Sequence, residues 1–392
     1  MGRIKIMLKK DITFIYMDAA ERAAYQSIAE EAERRGYRVT LTDDKFAKCE
    51  IGFYCQHINH PQFSKFSVIM LHDIIQQYSN WPDIWYREPW DKYDIGILPS
   101  NQWVRNWDQC SQFHYARPRK GLYKIGWPKA DKVAKLQATT YREDFYAKHG
   151  LDLNKKTVLY APSWENDGKQ DDFVQSMLKL DVNIVIKQAA CSKEMFPDMV
   201  RCIKEMYELH KDLDRVTILP PVTNIFEAIA VSDILVSEES STMCEATMMG
   251  IPAVSVSDWL IPDVVPSRFP KCDYDFVFMT KKDELTDFIR EMLEHYEAYH
   301  TKAKAFSKEN FSNIGCASSM IMDIIDDFAS EKPVRYQPVP ARENKVVPLR
   351  RELARRILMF KLELVNNYAI HYPIASRILA LRRKLKRSLK KS

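Results

Sequence analysis

Residues 233–254 read DILVSEESSTMCEATMMGIPAV, and the way this stretch folds decides the architecture. An apolar run (233–237) meets a polar turn, EESST (238–242). MCEATMMG (243–250) then has a helical pattern that ends on Gly250, with Pro252 blocking any continuation. A strand that passes through a short turn straight into a helix is the repeating unit of a parallel α/β sheet, whose ligands gather at the carboxyl ends of the strands. Ser240, Ser241 and Thr242 stand at the helix start, where unpaired N–H groups and the helix dipole favour a phosphate. The competing role for these hydroxyls is simple N-capping. Glu245, one turn further, suits the vicinal hydroxyls of a ribose; the alternative is a solvated glutamate on the helix face. Glu238 and Glu239 are the difficulty, since carboxylates beside a diphosphate repel it unless they turn away or meet a cation such as Lys187.

Outward from this unit, strand-like runs alternate with helical ones in two series. DITFIYM (11–17), YRVTL, EIGFY, SVIMLH and DIGILP form the first, with Asp18 placed to cap a helix that runs to Gly36. TVLYA (157–161), NIVIK (183–187), RVTIL (215–219), DILVS (233–237) and PAVSV (252–256) form the second. Each run is short, continuous and rich in β-branched residues, as expected of strands covered by helices on both faces. Residues 281–329 read as two helices, and 330–348, with four prolines, as a linker.

Lys187 ends a strand, where a cation can face a diphosphate or simply meet solvent. Ser163 and Trp164 follow TVLYA, in a loop suited to phosphate contact or to plain packing. His72 closes the apolar run KFSVIML and is followed by Asp73; an imidazole there can take a proton at neutral pH, and the carboxylate can fix its tautomer. His57 and His60 have metal-compatible spacing but no third ligand nearby, and the tripeptides DLD (212–214) and DYD (273–275) follow no clear strand. No metal site is expected. The aromatic stretch YSNWPDIWYREPWDKY (78–93) suits either an acceptor-binding surface or a packed loop.

E-A-x-x-x-G-x-P, beginning at Glu245, resembles the donor-nucleotide helix of GT-B glycosyltransferases. The ordered segments IGWPKAD (125–131), TVLYAPSWEND (157–167), NIVIKQ (183–188) and NIFEAIAVSDILVSEESS (224–241) are similar to those of CDP-glycerol glycerophosphotransferases of teichoic-acid and related surface-polymer synthesis. That family carries G-Y-P-R-x-D, Y-A-P-T-W, K-x-H-P and D-Y-S-S segments in this order, and an H-G motif where His72 stands. The resemblance implies a GT-B fold, a CDP-activated donor, and His72 as the base that deprotonates the acceptor hydroxyl. This chain departs from the pattern at Asp73 (for Gly), Glu165 (for Arg), Gln188-Ala189-Ala190 (no His-Pro), and Glu238-Glu239 (for Asp-Tyr).

The chain has 392 residues, enough for two cores and an appendage. Its eight cysteines are scattered without a C-x-x-C pair, so neither a zinc knuckle nor a redox motif is expected. There is no signal-peptide pattern at the N-terminus and no uninterrupted apolar run of transmembrane length. The net charge of +5 conceals a basic tail: residues 341–392 hold fifteen Lys/Arg against three Asp/Glu. Residues 350–392 pair that charge with apolar residues at helical spacing, which favours a lipid interface, or packing against another protein surface, over nucleic acid.

The expectation is thus an α/β protein of GT-B type, two Rossmann-like domains facing a cleft, plus a basic amphipathic helical C-terminal tail. The parts are 1–150 on the acceptor side, 151–329 on the donor side, a linker at 330–349 and the tail at 350–392. The expected enzyme moves glycerol phosphate, or a similar group, from a nucleotide diphosphate to a hydroxyl of a glycan or lipid-linked acceptor. His72 and Asp73 are the catalytic candidates; Lys187, Ser163, Ser240, Ser241, Thr242 and Glu245 are the donor-binding ones. No cofactor and no nucleic-acid partner are expected. Its expected place is cytoplasmic, peripherally attached to the inner face of the cell membrane. A nucleotide-sugar glycosyltransferase and a non-catalytic membrane-associated protein are the alternatives.

Overall fold

The computed structural model describes residues 8–17, 19–55, 59–74, 83–137, 139–191, 193, 196–259 and 277–365. Six parallel strands form the first sheet: β1 (Asp11–Ile15), β2 (Arg38–Thr42), β3 (Cys49–Cys55), β4 (Ser64–Met70), β5 (Ile95–Leu98) and β6 (Gly121–Lys124), in the spatial order β2-β1-β3-β4-β5-β6. A second set of six is also parallel: β7 (Thr157–Tyr160), β8 (Asn183–Lys187), β9 (Val216–Leu219), β10 (Ile234–Ser237), β11 (Ala253–Val256) and β12 (Val277–Thr280). Its order, β12-β11-β10-β7-β8-β9, reverses direction between β7 and β10, so the loops leaving those two strands flank a switch-point crevice.

Both faces of the second sheet are buried, which explains the unbroken apolar runs. The register row Val185, Leu159, Leu235 and Ala253 lies in one core, while Ile184, Val158 and Ile234 lie in another on the opposite face. The helices are α1 (Ala19–Arg34), α2 (Asn101–Cys110), α3 (Val133–Leu136), α4 (Thr139–His149), α5 (Lys169–Met177), α6 (Pro197–His210), α7 (Ile225–Ala230), α8 (Thr242–Met248), α9 (Leu285–Glu294), α10 (Tyr296–Asn310), α11 (Ala317–Ala329) and α12 (Leu349–Glu363). The ten strands read from the sequence are present. The two it did not reveal, β6 and β12, are four-residue strands at the sheet edges; in β6 only Leu122 and Tyr123 are apolar, between a glycine and a lysine. Residues 281–329 hold three helices rather than two, because α9 and α10 are parted by His295 alone. Asp18, expected as a cap, lies outside the described residues.

Past residue 310 the chain returns to the first unit. A donor-side unit running to 329 would include α11, yet Arg35 of α1 pairs with Asp323 and Asp326 at 2.8 Å each, and Tyr37 donates to Asp326 at 2.6 Å. The Pro-rich segment is extended but docked: Val339 N–H donates to the Leu122 carbonyl at 2.7 Å, covering the open edge of β6. α12 is clamped by Arg351, which donates to Asp83 Oδ2 (2.8 Å) and the Tyr115 hydroxyl (3.0 Å) and lies 4.6 Å over the Phe113 ring. Arg355 stacks on Tyr115 at 5.0 Å. The expected tail beyond residue 365 lies outside the described residues.

Candidate active site at the junction of two sheet edges

At the switch point the loops after β7 and β10 are locked together by Glu238. Its Oε1 accepts from Ser163 N (2.9 Å), Ser163 Oγ (3.0 Å) and Trp164 N (2.9 Å), with Lys169 Nζ at 3.7 Å; its Oε2 accepts from Ser237 Oγ at 2.9 Å. Converging backbone and hydroxyl donors beside a lysine make an anion nest, and here the chain's own carboxylate fills it. Glu238 therefore turns into the protein, and both donors of Ser163 are engaged by it. Glu239 is also fully buried. Thr242 Oγ1 donates to the Ala161 carbonyl at 3.0 Å, tying α8 to the β7 loop, while Ser240 Oγ accepts the Thr242 N–H at 3.3 Å. Ser241 is the residue before α8 and makes no side-chain cap. Gly250, at φ +76°, closes α8 in the left-handed region, and a Cβ there would stand 2.9 Å from Lys304.

Glu245 is where the two units meet. It is 1% exposed, and its Oε1 accepts from Trp127 Nε1 at 3.0 Å and Lys129 Nζ at 2.7 Å, both from the segment IGWPKAD. That segment is built as a staple. Gly126, at φ +134°, lets the backbone approach the Ser312 carbonyl, which a Cβ would meet at 2.6 Å. Asp131 accepts the Ala317 and Ser318 N–H groups at 2.8 Å each and so caps α11. The ribose role expected of Glu245 requires Lys129 or Trp127 to yield that oxygen. Lys187, at the end of β8, is largely buried; desolvation first, then the charge of Lys129, lowers its ammonium pKa to about 8, against the pull of Glu245.

His72 follows β4 and sits at the same carboxyl edge as the IGWPKAD loop, which follows β6 two strands away, roughly 10 Å across the sheet. Its Nδ1 lies 3.8 Å from Glu21 Oε1, a fully buried carboxylate on α1 whose other oxygen accepts the Met17 N–H at 2.6 Å. Glu21 is thus a carboxylate beside the imidazole that the sequence reading missed, 51 positions upstream in a helix's first turn. Asp73 is half-buried in the same loop. His57 and the DYD tripeptide lie outside the described residues; His60 stacks on Phe46 at 4.5 Å, and DLD lies in the turn before β9, at the opposite sheet edge. Of the aromatic stretch, residues 83–93 are described, and Trp85 and Trp90 are packed in the core.

The family departures in the second unit resolve into internal packing. Glu165 is 1% exposed and accepts from the Tyr160 hydroxyl (2.9 Å) and Gln188 Nε2 (2.8 Å). Burial pushes its carboxyl above the ordinary range. Gln188 also donates to Gln170 Oε1 at 2.7 Å. Both side chains are buried and hydrogen-bonded within the unit.

Two parallel six-stranded sheets joined at their carboxyl edges define an α/β protein similar to GT-B transferases. The chain belongs to the CDP-glycerol:poly(glycerophosphate) glycerophosphotransferase family, whose model matches residues 86–325. A teichoic acid glycerol-phosphate transferase of Staphylococcus aureus (strain NCTC 8325 / PS 47) is 24% identical over 147 residues, 36% of this chain and 36% of that protein. The chain thus aligns with only about a third of that relative. Among solved structures, a variant of the wall teichoic acid polymerase TagF shares the fold at a TM-score of 0.59 and 15% identity, over 82% of this chain and 89% of that one. A putative UDP-N-acetylglucosamine 2-epimerase from Listeria monocytogenes does so at 0.55 and 12%, over 86% and 100%.

Proposed function

We propose that the chain transfers glycerol phosphate from CDP-glycerol to a hydroxyl of a membrane-associated glycan or lipid acceptor in surface-polymer synthesis. The observation that carries this reading is the junction at Glu245, which joins the sheet edge holding His72 to the edge holding Lys187 and α8, within a chain of this family. His72 takes the acceptor proton as the acceptor oxygen bonds to the glycerol-bearing phosphorus. The bond from that phosphorus to the bridging oxygen breaks, and CMP leaves with the electron pair. Lys187, with the hydroxyls of Ser240 and Ser241, stabilises the charge that develops on the leaving phosphate, whereas both donors of Thr242 are held inside the protein by Ala161 and Ser240. No step calls for a cofactor. Purified chain should release CMP from CDP-glycerol in the presence of acceptor, and His72→Ala should lower kcat by about a hundredfold or more. Turnover of a nucleotide sugar with CDP-glycerol inert would overturn the donor assignment.

Attachment to the inner membrane face is supported by α12. Its arginine face grips the first unit, leaving Leu349, Leu353, Ile357, Phe360 and Leu364 exposed in one stripe at helical spacing. Beyond it the chain carries eight further Lys/Arg. Such a helix lies in a lipid interface rather than across it, and among the described residues no helix is long and apolar enough to cross a membrane. Ile357→Glu with Phe360→Glu should abolish co-sedimentation with anionic vesicles; unchanged sedimentation of both this variant and a chain ending at residue 348 would remove the proposal.

A further inference from the structure

The reading above, on which this inference rests, gives the donor diphosphate one lysine. The charge arrangement around Glu245 supplies another. Lys129 and Lys187 come from opposite units: Lys129 reaches α8 at Glu245, and Lys187 ends β8, two strands from β10, at the same carboxyl edge from which α8 departs; the charge of Lys129 also lowers the Lys187 pKa, after desolvation. The carboxylate that meets Lys129 is Glu245, 1% exposed and 2.7 Å from Lys129 Nζ. Among the described residues Lys129 is ion-paired to Glu245 and Lys187 to no carboxylate, so the edge carries an excess positive charge in a place with little water to screen it. The other anion-shaped place at the switch point is unavailable, because Glu238 already holds the Ser163 and Trp164 donors with Lys169 nearby.

We propose that Lys129 is a donor-contacting residue: the diphosphate is held between Lys129 and Lys187, one cation from each unit, and displaces Glu245 as the counter-ion of Lys129. The exchange releases Glu245 Oε1, the atom a ribose hydroxyl needs, so phosphate and ribose recognition are coupled through one ion pair. Lys129 retains 20% of its side-chain exposure, which gives the ammonium room to swing between the two acceptors while Trp127 Nε1 remains on Glu245. A solely structural role for the pair, a staple between units, makes a different prediction, because then both substitutions would act in the same direction.

The test is calorimetric titration of the full chain with inorganic pyrophosphate, which has no ribose, and with CDP. Lys129→Met should weaken both ligands by about tenfold or more, and Lys129→Arg should restore most of the loss. Glu245→Gln should tighten pyrophosphate several-fold, since it removes the internal competitor, while it weakens CDP relative to pyrophosphate. If Lys129→Met does not fold, Lys129→Gln and Glu245→Gln still give opposite signs under this proposal. Pyrophosphate affinity that is unchanged in the Lys129 variants, or lowered by Glu245→Gln, would overturn it. Wild-type chain that binds neither ligand would fail the donor reading itself, a distinguishable result.

Discussion

Lys187 owes its chemistry to burial. With its pKa lowered to about 8, the ammonium is charged below that pH and neutral above it, so affinity for CDP should fall as pH rises through about 8. The sign for stability is the opposite. Between about 8 and the ordinary 10.5 the unfolded chain binds a proton there that the folded chain does not, so this group's contribution to stability rises with pH across that window. Lys187→Met should remove both slopes, read from CDP titrations and from urea unfolding at several pH values. Glu238 supplies a second test: Glu238→Ala strands the Ser163 and Trp164 donors and should cost about 3–5 kcal/mol of unfolding free energy, Glu238→Gln about half of that. Residue types at strand ends and on the helix that follows were legible in the sequence: Lys187 and His72 at the ends, Glu245 on α8. The direction of each side chain was not. Glu238 looked like a charge set against the donor, yet it points inward as an anion supplied by the chain. Lys129 and Glu21 reach their partners only because distant strands share an edge, which linear spacing does not encode.

Strands were legible where apolar and β-branched residues run on without a break, even at the exposed edges β2 and β9. The central strands announce themselves as apolar runs, whereas β6 and β12 need a neighbouring strand to define them. α12 was readable as amphipathic but not as docked, since its hold on the first unit uses arginines on aromatic rings. Arg351→Ala combined with Arg355→Ala should free the helix, seen as faster proteolysis between residues 340 and 365 with the second unit unaffected. α11 depends on a cap from outside its own segment, Asp131. Asp131→Ala should lower stability by about 1–2 kcal/mol, while Asp131→Asn, which keeps an acceptor, should cost less.

At the scale of the molecule, the second unit is one continuous stretch, roughly residues 139–310, whereas the first is assembled from two pieces on either side of it. Arg35 meets Asp326 across 291 positions of chain. Contacts of that separation close late, because a long loop must be ordered before they form. Pulse-labelled hydrogen exchange during refolding should show β7 to β11 protected before α1 and α11; simultaneous protection would contradict this. The returning strap of α11, the extended segment and α12 therefore acts as a clasp fastened last. A partly refolded chain would hold a formed Lys187 edge with no Lys129 to face it, and would acquire diphosphate affinity only when the clasp shuts.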